Sequence, residues 1–404
     1  MTLFAAIDWA EWLNLTIRWF HLTAGIAWIG SSFYFIWLDH HLTPPREGEA
    51  TGEVWSVHGG GFYHKQKYAV APKAMPADLH WFKWEAYTTW LTGFALLVLV
   101  YWVGADSYMI DPAKADLSQA TAIGIGAAAL VIGWLVYDGL CRSPLGRDNR
   151  VLGAAWFAAL VLAGWLLDSV LNSRGAYLHV GAMIGTAMAA NVFMVIIPKQ
   201  RKAVAALIRG EVPDPALGKA GKQRSLHNNY MTLPVLFIMI SHHYPMTYGA
   251  GRPWLVLALL GLTGVAVRHV FNLRHRGAPL GGAIVVAGVL ALASVTYVAA
   301  EPATLPAAPD AEPVAAAEPA TWASVQPIFA AHCTSCHAAR PTAEGFTEPP
   351  LGVILDNPAQ ARAAAARVWK VAVDSQIMPI GNTTGMTAAE RAAIGRWIDA
   401  GAPE

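Results

Sequence analysis

A chain of 404 residues that is 55% hydrophobic and only 14% charged, with 17 tryptophans, is too apolar for a soluble protein of its size and is expected in a membrane. A formal net charge of +1, with no basic patch beyond short loop clusters, excludes nucleic acid as a partner and leaves membrane lipid. Three cysteines, two of them committed to one motif, exclude a disulfide framework, and Cys141 is expected as an inert thiol in a loop.

Residues 1–38 have no basic leader region and no small-residue cleavage site, so they are expected as a first span and not as a removed signal. Apolar runs near the roughly 20 residues needed to cross a bilayer predict eight helices, at about 12–38, 85–104, 120–138, 150–171, 176–197, 229–244, 253–273 and 279–299. The sixth is the shortest. Lys and Arg crowd the loops after the first, third, fifth and seventh, including Lys65, Arg147, Arg209 and Arg274. The opposite loops hold little more than Lys114, Arg174 and Arg252, so both termini are expected outside.

The first helix carries Asn14, Arg18, His21, Gly25, Trp28 and Ser32 at helical spacing, which puts them on one face. Ionisable groups inside a span are costly and mark function by default. On the expected orientation Asn14, Arg18 and His21 lie in the outer half, with Asp168, Asn172, His179, His242 and His243. The plainer reading is that a membrane histidine is hydrogen-bonded glue between helices, and that Asn172, Arg174 and His243 are interfacial. His21 and His179 are alternatively the axial ligands of a b-type haem between helices 1 and 5.

In the first basic loop, Glu53 to His58 and Phe62 to Val70 flank three glycines and predict a hairpin with His58, His64, Lys65 and Lys67 near its tip. His80, Lys83 and Glu85, opening helix 2 among aromatics, are either an interfacial belt or a competing substrate pocket.

Residues 301–320 turn to Ala, Pro and Glu without an apolar period, which predicts a tether and makes 321–404 a separate domain. Its organising stretch is Cys333-Thr334-Ser335-Cys336-His337, the spacing of covalent c-type haem attachment with His337 reaching the iron. A zinc or dithiol site is the alternative, but zinc wants two further ligands at similar spacing. For the sixth iron position Met378, beside Pro379 in an irregular segment, is preferred over Met386. Helices are expected over 322–331 and 387–400, the second opened by a capping box, Thr387 to Glu390, and carrying a stripe of Ile394, Trp397 and Ile398.

This tail resembles small class I cytochrome c domains. A haem attached through such a motif lies on the periplasmic side in bacteria, in accord with the charge bias. Residues 20–30 also resemble the first helix of membrane haem proteins related to protoporphyrinogen oxidase. The combination of Arg18 to His21, Trp28 to Phe35, Trp55 to Tyr63 and His80 to Tyr87 with the fused haem domain resembles the bacterial membrane urate hydroxylases of the PuuD type.

The resemblance implies an all-α protein of the bacterial inner membrane, an eight-helix transmembrane bundle (1–300), a linker (301–320) and a small class I cytochrome c domain (321–404), with both termini periplasmic. It implies oxidation of urate to 5-hydroxyisourate, water supplying the oxygen, with electrons leaving through one haem c to a periplasmic cytochrome c or terminal oxidase. No family residue role is carried over. From side-chain chemistry, Arg18 is expected to pair with the urate anion and His21 to accept a proton. Asn14, Trp28, His179 and His242 are further candidates for binding it. The competing readings are an electron-transfer subunit without a substrate of its own and, more remotely, a transporter with a redox sensor.

Overall fold

The computed structural model describes residues 9–403 apart from 69–71, 73–75, 77, 113, 301–320, 344–345, 347, 375, 377 and 383. The expected tether at 301–320 therefore lies outside the described residues.

Long helices occupy each stretch where one was expected. They are α1 (Trp9–His40), α2 (Trp84–Leu96, continued by a π-helical turn Leu97–Trp102), α3 (Gln119–Arg142) and α4 (Asn149–Val170). Then follow α5 (Ser173–Ile208, with a π segment Asn191–Ile196), α6 (Pro215–Ser241), α7 (Pro253–His275) and α8 (Gly281–Ala300). Five of them, α3, α4, α5, α7 and α8, are long and apolar enough to cross a membrane. The regular part of α2 ends at Leu96, α1 carries Asn14, Arg18 and His21, and the first half of α6 is polar.

Helix α6 departs most from its expected start at 229. It begins at Pro215, where Asp214 caps it by accepting from the Ala216 N–H (2.8 Å). Arg224, His227, Asn228 and Asn229 are buried inside the bundle against other polar groups. Hydropathy reads that half as loop because it measures transfer to lipid, whereas these side chains pair with protein. Cys141 likewise sits in the last turn of α3 and not in a loop.

The core lies where α3, α4 and α5 meet, with Tyr137, Leu152, Val180 and Ala187 almost fully buried. α1 packs chiefly on α2, and α8 on α7. These outer helices turn rows of large apolar side chains outward, Trp19, Leu22 and Ile26 on α1 and Val285, Val289 and Leu292 on α8. Such rows suit lipid.

Between α1 and α2 the strands β1 (Gly52–His58) and β2 (Gly61–Lys67) pair antiparallel, Glu53 opposite Gln66 and His58 opposite Gly61. Gly59 (φ 58°) and Gly60 (φ 80°) make the two-residue turn, which needs positive φ at both positions. His58 is at the tip as expected, but Lys65 and Lys67 are not. Lys67 lies at the open end, where it pairs with Asp39 of α1 (2.6 Å).

The C-terminal part is built on α9 (Trp322–His332) and α10 (Ala388–Asp399). Both bonds of the capping box between Thr387 and Glu390 are present. Val325, Phe329, Ile394 and Trp397 form its core, with Trp397 stacked edge-on against Phe329 at 5.7 Å. This unit meets the helical bundle through Ile380–Asn382, which packs against the turn Ala105–Tyr108.

Candidate functional site

The α1 face divides along its length. Arg18 is exposed and donates from Nη2 to Asn14 Oδ1 (2.9 Å). One turn on, His21 faces α2, with Nδ1 bonded to the Thr89 carbonyl (2.9 Å) and Thr92 Oγ1 (3.1 Å). A carbonyl only accepts, so Nδ1 carries the proton and the Nε2 lone pair is left to act as a base. Gly93 permits this approach, since a Cβ there would lie 2.8 Å from His21 Cε1. Trp28 is not brought to this group. Ten residues along a helix is about 15 Å, and Trp28 packs between two apolar clusters of the core.

His179 is not brought to it either. Its ring is fully buried, Nδ1 donates to the Gly175 carbonyl (2.8 Å), and Nε2 accepts from Trp102 Nε1 (3.2 Å). It also presses against Gly126 of α3, where a Cβ would not fit. With both nitrogens taken and His21 turned toward α2, these two residues do not fit a b-type haem between them. His179 is helix glue, as the plainer reading of a membrane histidine expected.

His242, at the end of α6, lies against His243 with the rings tilted (centroids 3.8 Å apart), within electrostatic reach of Arg18 and Arg174. Arg174 is the member that sequence reasoning set aside as interfacial. Its guanidinium lies over the Tyr108 ring (4.9 Å), and its Nε is buried with no partner among the described residues. Asp168 is engaged by Lys114 (2.9 Å) and not by either arginine. Asn172 serves as the cap of α5, accepting from the Arg174 N–H (3.0 Å). Two arginines, an amide and two histidines thus gather at the end of the bundle where Ala105–Tyr108 meets Ile380–Asn382. A site of this kind can hold a planar anion and remove a proton from it.

In the C-terminal unit, His337 Nδ1 donates to the Val353 carbonyl (3.0 Å), which fixes the ring and leaves Nε2 for a metal. Cys333 and Cys336 are half-buried free thiols. Burial pushes the Cys333 thiol up to about 12, the reverse of the lowered value a redox-active dithiol needs. Met378 is partly buried at the edge of the core, whereas Met386 is 3% exposed within it and so acts as filler. Arg391, another residue sequence reasoning missed, is buried and donates to the Met378 carbonyl (2.6 Å) and to Asn382 Oδ1 (3.2 Å). Cys333 and Met378 border the same core and the His337 Nε2 lone pair is open to a metal, a donor set of the kind a c-type haem takes. A cavity of about 340 Å³ beside α9, lined by Trp322, Phe329, Ser335 and Leu355, includes none of the four.

The competing pocket is less built. His80 is largely exposed and lies 3.9 Å from Glu85. A larger surprise is the polar interior of the other end of the bundle. Arg224 donates to Asp138 (2.7 Å) and Asn191 (3.0 Å), Asn191 donates to Tyr137 (3.0 Å) and Asn228 (2.8 Å), and His227 bonds Tyr137 (2.9 Å) and Asn149 (3.1 Å). A second buried group, Asn229, Arg268 and Asn272, joins α6 to α7. A signal was available only for the second, Arg268-His269 inside the apolar run 253–273.

The family model described as urate oxidase N-terminal matches residues 7–300. No curated protein and no solved structure matches the chain.

Proposed function

Because the chain belongs to the urate oxidase N-terminal family, we propose that it is a membrane-bound urate hydroxylase of the bacterial inner membrane. Its eight long helices span the bilayer, its termini and C-terminal cytochrome c domain are periplasmic, and its electrons leave through haem c to a periplasmic cytochrome or terminal oxidase. The family match carries the substrate; the motif Cys333 to His337 carries the electron route.

The reaction balances as urate plus water giving 5-hydroxyisourate, two protons and two electrons. Urate is oxidised and the oxygen of water becomes the new hydroxyl. A haem held by Cys333, Cys336, His337 and Met378 would supply a one-electron acceptor. Arg18 and Arg174 hold the urate monoanion by its oxygens, and Asn14, which already orients Arg18, has its amide N–H groups left for a ring acceptor. His21, with Nδ1–H fixed on Thr89, accepts a proton at Nε2 as the ring loses electrons or as water adds. His242 is the second acceptor, beside the two arginine charges. This placement is supported by the contact of Ile380–Asn382 with Ala105–Tyr108, which brings the Met378 edge of the haem domain over the same end of the bundle.

The test is turnover by the purified protein in oxygen-isotope-labelled water with an artificial electron acceptor. Label in the 5-hydroxyl of the product is expected. Label arriving from dissolved oxygen, or no loss of urate, refutes the assignment.

A further inference from the structure

Most buried polar groups in the bundle are satisfied, and one group is conspicuously not. Asn229 (0% exposed), Arg268 (3%) and Asn272 (2%) are buried where α6 and α7 approach α1. Arg268 Nε and Asn272 Nδ2 both donate to Asn229 Oδ1, at 3.1 and 2.9 Å. That pattern fixes both amides, since turning either one would set like groups against each other. Three atoms are left over: Asn229 Nδ2, Arg268 Nη2 and Asn272 Oδ1 are buried without a partner. No carboxylate pairs with Arg268 among the described residues.

A guanidinium buried without a counter-charge is strongly unfavourable unless something completes it. The unused set is a charged donor, a neutral donor and an acceptor. Water can bond such a set but cannot neutralise it. A sulfate or phosphate-ester dianion can neutralise it but offers Asn272 Oδ1 no hydrogen; hydrogen phosphate carries one, so inorganic phosphate is the competitor to set against urate in the binding test. An oxopurine anion presents ring or carbonyl acceptors beside an N–H along one edge, and answers all three. Phe33 of α1 lies against the guanidinium at 3.8 Å and covers its face, which leaves the edge to the ligand.

We propose that Asn229, Arg268 and Asn272 form a second binding site, separate from the Arg18 group, for an oxopurine anion of the urate class. The inference rests on the urate reading above and deepens it. On the proposed topology the site is in the cytoplasmic half, seven residues or about 10 Å from His275 at the end of α7. It holds the anion drawn from the inner side before it reaches the outer group. α1 packs mainly on α2 and only lightly on α6 and α7, so Phe33 stands on the wall best able to move aside.

The experiment is equilibrium binding of urate to the full-length holoprotein in lipid nanodiscs, with the haem chemically reduced beforehand so that no turnover occurs. Asn272→Asp puts a carboxylate beside Arg268, which satisfies the guanidinium and repels an anion. This variant is expected to bind one urate fewer per chain, although its new carboxylate oxygen gives up the bond to Asn229 Oδ1. Arg268→Lys keeps the charge but loses the fork, and is expected to weaken that site at least about tenfold. Unchanged number and affinity of bound urate in both variants overturns the site and leaves water as its occupant. If the unaltered protein oxidises urate, such a result refutes this site alone; if it neither binds nor oxidises urate, the proposed function falls and this site with it.

Discussion

Arg391 holds Met378 in place from behind: its Nη1 donates to the Met378 carbonyl at 2.6 Å and to the Ala372 carbonyl at 2.5 Å, from a position almost closed to solvent. The loop that carries the expected sixth ligand is therefore fixed by a charge in α10, a helix whose own start is set by the Thr387 capping box.

Replacing Met378 by Ala is expected to leave the haem covalently attached but high-spin or lower in potential, because a thioether ligand raises the potential. Arg391→Gln should move the spectrum partway in the same direction. Met386→Ala should keep the spectrum and lower stability by about 2–5 kcal/mol, the cost of a buried methionine cavity. Visible spectra and denaturant melts of the three variants check this; a spectral change in Met386→Ala alone would reverse the ligand assignment.

The Trp102 to His179 bond gives a second prediction. His179→Ala leaves the half-buried Trp102 N–H without its acceptor and should cost about 1–3 kcal/mol, with haem content per chain unaltered. Loss of a b-type absorbance band in this variant would restore the pairing with His21.

The parts of this protein that could be read from sequence are those in which one local rule acts alone. The capping box at Thr387 and the two-glycine turn of the hairpin each depend on residues within five positions. The start of α6 could not be read in that way, because Arg224 and Asn229 are paid for by partners 33 to 86 residues away, Asn191, Asp138 and Arg268 among them. Arg174 and Arg391 were missed for the same reason: an arginine at a helix end looks like a solvated charge until the ring or carbonyl it meets is known. His21 and His179 have the same sequence signature, and only the partners of their second nitrogens separate the proposed base from a residue bonded at both nitrogens.

In the hairpin, the bond from His64 holds the Glu53 carboxyl below the usual carboxylate range. A carboxylate whose value is lowered on folding contributes stability above its unfolded value of about 4.3 and loses it as pH falls through the folded one. Amide exchange in β1 and β2 should therefore be slow near neutrality and faster at about pH 3, and Glu53→Gln should remove that pH dependence. An identical acid response in the variant would show that Glu53 does not hold the hairpin.

Arg18→Met and His21→Ala are each expected to abolish urate-dependent haem reduction while haem c content and the dithionite-reduced spectrum stay intact. A helix-packing role for His21, on Thr89 and Gly93, predicts a different outcome: lower stability with the rate per folded molecule unchanged. Full activity in both variants, with loss in His80→Ala or Glu85→Gln, would move the oxidation site to the other end of the bundle.

The central claim is that urate oxidation and haem c reduction are one process within this chain. It is tested most directly by adding urate to the purified, oxidised protein without oxygen and following the haem spectrum. The account predicts reduction of haem c with two haems reduced per urate consumed, and none with Arg18→Met. Consumption of urate without haem reduction, or a haem reducible by dithionite that does not respond to urate at all, would contradict it.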